Sequence, residues 1–214
     1  MDTYKHKGLR KHLAEEIRRK GIKDDKVISA IEKIPRHLFL DSSFEKFAYQ
    51  DVAFPIGSGQ TISQPYTVAF QTELLQIKKG DKVLEVGTGS GYQACVLVEM
   101  GAKVFSIERQ HKLYLKTKPF LESIGYVPKL FYGDGYKGLP SYSPFDKILI
   151  TAGAREIPKD LLGQLKVGGV MVAPIGEEDT QIMTSIQRIN ENEYQQKKYG
   201  NFSFVPMLKD KAND

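Results

Sequence analysis

The stretch Val83-Leu84-Glu85-Val86-Gly87-Thr88-Gly89-Ser90-Gly91-Tyr92 constrains this chain more than any other. A short apolar, strand-forming run ends in three glycines at alternate positions, and a helix-forming segment follows. Glycine tolerates positive φ and lets backbone approach a ligand closely. A helix that begins at such a turn presents free N–H groups. In a sheet of parallel strands this junction lies at the carboxyl end of a strand, where ligands bind.

The segments around it repeat the same alternation. Lys82 to Val86 reads as a buried strand, followed by a helix over 90–99. Val104 to Ile107, residues 129–132, Phe145 to Ile150 and Gly169 to Ala173 read as further strands. Helices over 111–124 and 158–165 separate them. Strands alternating with helices predict an α/β fold, a doubly wound, mostly parallel sheet covered on both faces. Residues 179–189 and 193–206 read as an antiparallel hairpin turning at Asn190-Glu191-Asn192.

Ahead of the sheet, Leu9, Leu13 and Ile17 place one apolar face on a helix over 4–20, which Gly21 stops. Asp24-Asp25 offers an N-cap for a second helix bearing Val27, Ile28, Ile31 and Ile34, ended by Pro35. Residues 36–62 read as irregular, with turns at Pro55, Gly57 and Gly59. A helix over 65–76 carries Pro65 in its first turn. The 214 residues fit a single domain over 1–214, with a helical extension over 1–62 and an α/β core with C-terminal strands over 63–208.

Charge and composition exclude several classes. The net charge is +5, but residues 1–26 hold nine Lys/Arg against five Asp/Glu. The basic excess therefore sits on the first helix as a solvated face, whereas a nucleic-acid groove would spread it and interleave aromatics. No apolar run reaches the length of a membrane span, and the first residues lack the apolar stretch of a secretory signal. A single cysteine, Cys95, forbids an internal disulfide, so a cytoplasmic location is the simplest expectation. Cys95 falls inside the helix after the glycine turn and reads as a buried small side chain. His6, His12, His37 and His111 lack metal-ligand spacing, so no metal is expected.

The ligand follows from the chemistry of the turn. A dinucleotide fingerprint needs G-x-G-x-x-G, and here Tyr92 stands in place of the last glycine. Glu85 would repel a pyrophosphate and suits a ligand bearing a cationic amino group. S-adenosylmethionine carries that amine and a sulfonium, and no phosphate. Gly87, Thr88, Gly89 and Gly91 form its expected cradle. Glu108, with Arg109 beside it, ends the second strand, where a carboxylate can accept both ribose hydroxyls. Gly133-Asp134-Gly135 follows the third strand, and Asp134 with Gly135 is placed against the adenine. Each position also has a plainer reading. Glu108 could pair with a nearby Arg, and Asp134 could simply make an Asp-Gly turn.

Other stretches narrow the reaction. Ala48-Tyr49-Gln50-Asp51, Pro55-Ile56-Gly57, Gln60-Thr61-Ile62-Ser63-Gln64-Pro65-Tyr66, Thr72-Glu73-Leu74-Leu75 and Phe204-Val205-Pro206 accompany the glycine turn. Together they resemble the signature of protein-L-isoaspartate O-methyltransferases over roughly residues 25–208. The glycine turn is common to many methyltransferases, whereas Thr-Ile-Ser-Gln-Pro is far more specific. Cys95, Gly153 and the basic first helix depart modestly from the family pattern.

The resemblance implies a Rossmann-like, S-adenosylmethionine-dependent enzyme. It would methylate the α-carboxylate of L-isoaspartyl residues, and of D-aspartyl residues in some members, to start repair through a succinimide. It designates Ser63 as the active-site residue, with Ile62 beside it. Gln60, Thr61 and Ile62 would lie over the cofactor, and Val205 and Pro206 would wall the peptide site. Partners would be isoaspartyl peptides and proteins, with no nucleic acid or membrane, and a monomer is the default. Ser63 could equally cap the helix that begins at Pro65. Gln60 and Thr61 could only shape their loop, and Tyr66 could only pack. A different methyltransferase acting on RNA or a small molecule competes on residues 80–175 alone. The Ser63 segment argues against it, as does Thr151-Ala152-Gly153-Ala154 where amino-methylating enzymes often carry an Asn/Asp-Pro-Pro-aromatic stretch.

Overall fold

The computed structural model describes residues 2–177 and 180–212. Helices α1 (Tyr4–Arg19) and α2 (Asp25–Lys33) come first. A two-stranded hairpin, β1 (Phe54–Gly57) and β2 (Gln60–Ile62), leads into α3 (Pro65–Leu75). The main body then runs β3 (Lys82–Val86), α4 (Tyr92–Glu99), β4 (Lys103–Glu108), α5 (His111–Ser123), β5 (Lys129–Tyr132) and β6 (Phe145–Ile150). It ends with α6 (Lys159–Gln164), β7 (Leu165–Ile175), β8 (Gln181–Arg188) and β9 (Tyr194–Phe202).

Seven strands form one sheet in the order β5-β4-β3-β6-β7-β8-β9. The first five are mutually parallel, and β8 and β9 are antiparallel additions. From β3 the chain steps outward to β4 and β5, then returns to the other side of β3 through β6. The strand order therefore reverses between β3 and β6, which opens a crevice at their carboxyl ends. Four consecutive residues of β3, Val83 to Val86, are buried, as befits a central strand covered on both faces. One buried cluster joins α1–α4 to one face of the sheet, and a second, centred on Leu84, Phe145 and Met171, fills the other.

The strands and helices of the α/β body stand where the sequence places them, within a few residues. β7 is longer than the expected 169–173. The C-terminal hairpin is present but shorter: β9 ends at Phe202, and residue 179, the expected start of β8, lies outside the described residues. Beyond Phe202 the chain leaves the sheet and forms a bridge between Pro206 and Gly153. Residues 36–62, expected to be irregular, contain two 3-10 turns and the β1–β2 hairpin. On α1, Leu9 is 39% exposed, and Arg10 is buried instead. Arg10 reaches Asp2 in a paired contact at 2.9 and 3.0 Å and donates to the Glu32 carbonyl at 2.6 Å. A charged group thus closes a seam that aliphatic spacing assigned to leucine.

Candidate active site

The glycine turn after β3 makes the floor of the crevice. Gly87, Gly89 and Gly91 have φ of 100°, 52° and 83°, all in the left-handed region that side chains disfavour. A Cβ at Gly87 would stand 2.5 Å from Thr151 Oγ1, so the turn can hug the end of β6 only with glycine there. Thr151 fastens it by donating to the carbonyl oxygens of Gly87 and Val86 at 2.7 and 3.0 Å. The result is a crevice with a backbone floor at the carboxyl edge of the sheet.

Most of the expected residues meet here. Thr88, Gly87 and Gly89 line the floor, with Glu108, Arg109 and Gly135 along the sheet side. Gln60, Thr61, Ile62 and Ser63 come from β2 and the loop before α3 on the opposite wall. Val205 and Pro206 close it from the C-terminal segment. Glu108 is 4% exposed, and its two oxygens accept the amides of Gly89 and Gln110 at 2.8 Å each. Burial raises its pKa, and those N–H groups oppose the shift. The carboxylate is thereby tied to the turn, with lone pairs still free for hydroxyl donors. Arg109 donates to the Asp210 carbonyl at 3.1 Å and so anchors the tail beyond Pro206.

Three expected ligand residues stand outside the cavity lining. Glu85 is fully buried behind the turn, accepting from Ser106 Oγ at 2.5 Å. Ser106 is in turn 2.6 Å from Thr88 Oγ1. Glu85 therefore props the turn through two hydroxyls and does not face the crevice. Burial pushes its pKa up to about 8. Asp134 accepts the Tyr136 amide at 2.9 Å, which is the plainer Asp-Gly turn reading, while its neighbour Gly135 does line the wall. Gly91 is the N-cap of α4, and its missing side chain makes room for Leu121 and Thr117.

Ser63 does not cap α3. Gln64 is the N-cap and offers no side-chain hydrogen bond. The cap comes from Asp51, whose carboxylate accepts the Tyr66 amide at 2.7 Å and Gln64 Nε2 at 3.0 Å. Lys20 pairs with the same carboxylate at 2.6 Å. Ser63 is freed to line the cavity.

A second opening meets the first at Ser63. It is an open groove between α3 and the end of β9. Thr61, Ser63, Thr151, Val205 and Pro206 line both openings. A small molecule seated over the glycine turn and a chain lying in the groove would therefore come together at Ser63.

No motif pointed to Arg36, which is 0% exposed. Its guanidinium donates to the carbonyls of Ala48, Val52 and Ser63 at 3.1, 3.1 and 3.0 Å and lies 5.1 Å from the centre of the Tyr92 ring. Only the Pro35-Arg36 junction after a helix hints at it, and that signal is generic. His6 and His37, thirty-one positions apart, have ring centroids 3.9 Å apart, with Asp2 close by. The ring planes are tilted by 32°, His37 Nδ1 lies 2.6 Å from the Tyr49 hydroxyl, and Arg10 occupies both oxygens of Asp2. The group is a polar clasp between α1 and the turn that follows α2.

Comparison with known proteins identifies the family. The family profile of protein-L-isoaspartate(D-aspartate) O-methyltransferase matches residues 8–212. The protein-L-isoaspartate O-methyltransferase of Christiangramia forsetii is 63% identical over 98% of this chain and 99% of its own length. That of Flavobacterium psychrophilum is 61% identical over the same shares. A solved protein-L-isoaspartate O-methyltransferase, 29% identical, superposes with a TM-score of 0.85 over 95% of this chain and 67% of its own. A beta-aspartate methyltransferase from Plasmodium falciparum, in complex with S-adenosyl-L-homocysteine, is 27% identical with a TM-score of 0.80 over 94% of this chain and 99% of its own. By its sequence over nearly its whole length, and by its fold, this chain belongs to the protein-L-isoaspartate O-methyltransferase family.

Proposed function

We infer that this chain transfers a methyl group from S-adenosylmethionine to the α-carboxylate of L-isoaspartyl residues in damaged proteins. The observation that carries the reading is the meeting of two openings at Ser63, one floored by glycines and one shaped for a chain. The residues present fit the cofactor: the left-handed turn exposes backbone at close range, and the Glu108 carboxylate keeps acceptor positions for a ribose. When bound, S-adenosylmethionine supplies an electrophilic methyl on a sulfonium.

The acceptor carboxylate is ionised at neutral pH, so the protein need not remove a proton. Its work is alignment. Ser63 donates a hydrogen bond to the acceptor carboxylate and orients one oxygen toward the methyl. Ile62, Val205 and Pro206 wall the peptide, and Gln60 and Thr61 cover the cofactor beside it. Glu108 accepts from the ribose, and Arg109 steadies the wall through the tail. Holding two reactants in line lowers the barrier by several kcal/mol. Opposite charges are neutralised on the way to product, so exclusion of water favours transfer. Esterification gives the carbonyl a methoxide leaving group that the free carboxylate lacks. Attack by the next backbone nitrogen expels methanol and gives a succinimide, whose hydrolysis returns part of the material to normal aspartate.

The chain works as one domain over 1–214 in this reading, with residues 1–62 as the substrate-side part and 63–208 as the core. It acts as a monomer on isoaspartyl peptides and proteins in the cytoplasm, without nucleic acid. Among the described residues no helix is long and apolar enough to cross a membrane. The test uses methyl-labelled S-adenosylmethionine and paired peptides differing only in one L-isoaspartyl or L-aspartyl residue. Base-labile label on the isoaspartyl peptide alone supports the reading. Cofactor binding with label on neither peptide would move the reaction to another acceptor.

A further inference from the structure

The groove holds more than the acceptor needs. Away from Ser63 its wall is aromatic. Phe70 of α3 lies parallel to Phe202 at the end of β9, ring centroids 5.3 Å apart and planes at 28°. Tyr199 meets the same Phe70 ring edge-on at 5.8 Å, and Tyr66 stacks on it from the other side at 5.8 Å. Tyr199 and Phe202 are three apart in a strand, where alternation would put them on opposite faces. The irregular pairing of β8 with β9 between Ile182 and Thr184 brings both onto the α3 side.

These rings are backed by the buried core but only partly covered themselves. Tyr199 is also held from behind: its hydroxyl lies 3.3 Å from Ser185 Oγ on β8. Lys197, two residues earlier on the same face, sits with its ammonium 5.2 Å from the centre of the Tyr199 ring. The wall is thus rigid, apolar and continuous with the opening that contains Ser63. Any extended peptide with its damaged residue at Ser63 has to lay neighbouring residues along it, at roughly 3.3 Å each.

We propose that Phe70, Tyr199 and Phe202 form a side-chain subsite that selects isoaspartyl substrates carrying an aliphatic or aromatic residue a few positions from the damaged one. The proposal rests on the isoaspartyl reading of the site above. The enzyme is therefore selective among damaged sites, and favours those in segments that were once apolar and are exposed by unfolding. The discrimination comes from apolar burial, so it is written in KM more than in kcat.

The experiment scans leucine and phenylalanine against glycine at each of the three positions on either side of L-isoaspartate in otherwise identical peptides. Methylation is measured for the wild type, Phe202→Ala and Tyr199→Ala. One position on one flank should raise wild-type kcat/KM by about tenfold, and the ratio between apolar and glycine peptides should collapse toward one in both variants. Phe202→Leu should keep much of the ratio. Because the readout is a ratio within each protein, partial loss of folded enzyme does not affect it. A wild type that methylates every peptide equally, or variants that keep the full preference, overturns the subsite alone. Failure to methylate any isoaspartyl peptide overturns the functional reading and the subsite with it.

Discussion

The carbonyl oxygen of Ser63 accepts a 3.0 Å hydrogen bond from Nη1 of Arg36, a side chain with no exposed surface. The same guanidinium holds Ala48 and Val52 and lies over Tyr92, the first residue of the helix after the glycine turn. One cation thus joins the segment before the substrate loop, the loop itself and the cofactor-side helix. Burial draws its pKa down only to about 10, so it stays charged at neutral pH.

Arg36→Met should therefore be among the most damaging single changes in the chain. It leaves three carbonyls without their donor, at a cost of about 3 kcal/mol or more. Arg36→Lys should recover part of that, because one nitrogen replaces a fork of three. Urea unfolding followed by circular dichroism measures both. A midpoint for Arg36→Met indistinguishable from the wild type would remove Arg36 as the clamp.

Ser63→Ala should behave in the opposite way. The backbone of Ser63 is held by Arg36, and α3 is capped by Asp51, so no structural bond depends on the hydroxyl. Stability and affinity for S-adenosylhomocysteine should stay near wild type. Turnover should fall by about 10- to 100-fold, the worth of one hydrogen bond to a charged acceptor. Equal loss of ligand affinity and turnover would contradict an orienting role.

Glu108 should be intolerant even of its amide. Both carboxylate oxygens accept backbone N–H groups, from Gly89 and Gln110. Glu108→Gln turns an NH2 group toward one of those donors. We expect Glu108→Ala and Glu108→Gln each to weaken S-adenosylhomocysteine binding by at least about tenfold in calorimetry. Unchanged affinity in both would sink the ribose assignment.

The contrast between Ser63 and Arg36 shows where the sequence could be read and where it could not. Periodicity located every strand of the large sheet, because buried parallel strands and amphipathic helices follow simple spacing. It missed the β1–β2 hairpin, whose strands are only four and three residues long and whose Gly57 and Gly59 look like loop residues. Motif spacing brought Gly87, Thr88 and Glu108 to one cavity, and the family resemblance added Ser63. It could not tell that Glu85 faces inward to Ser106, since a strand residue at the centre of a sheet may point to either side. Nor could it find Arg36 or Asp51, whose partners lie 12 or more positions away and are chosen by tertiary packing.

Glu85 makes the last prediction, one of pH. Burial lifts its folded-state pKa from the ordinary 4.5 to about 8, with help from the neighbouring Glu108 charge and against the Ser106 hydrogen bond. The folded protein therefore holds a proton that the unfolded chain releases at lower pH. Stability from this group is complete below about pH 4.5 and declines as pH rises toward 8, beyond which both states are ionised. Glu85→Gln fixes the neutral form and can still accept from Ser106. Its stability relative to the wild type should rise between pH 5 and pH 8 by about 2 kcal/mol or more, at roughly 1.4 kcal/mol per pKa unit. Titrations that do not depend on position 85 are common to both proteins and cancel in that difference. Guanidinium unfolding of the pair at pH 5, 6.5 and 8 makes the comparison. A difference that stays constant, or shrinks as pH rises, would mean that Glu85 is ionised in the folded protein and that the Ser106–Thr88 chain carries a charge to the turn.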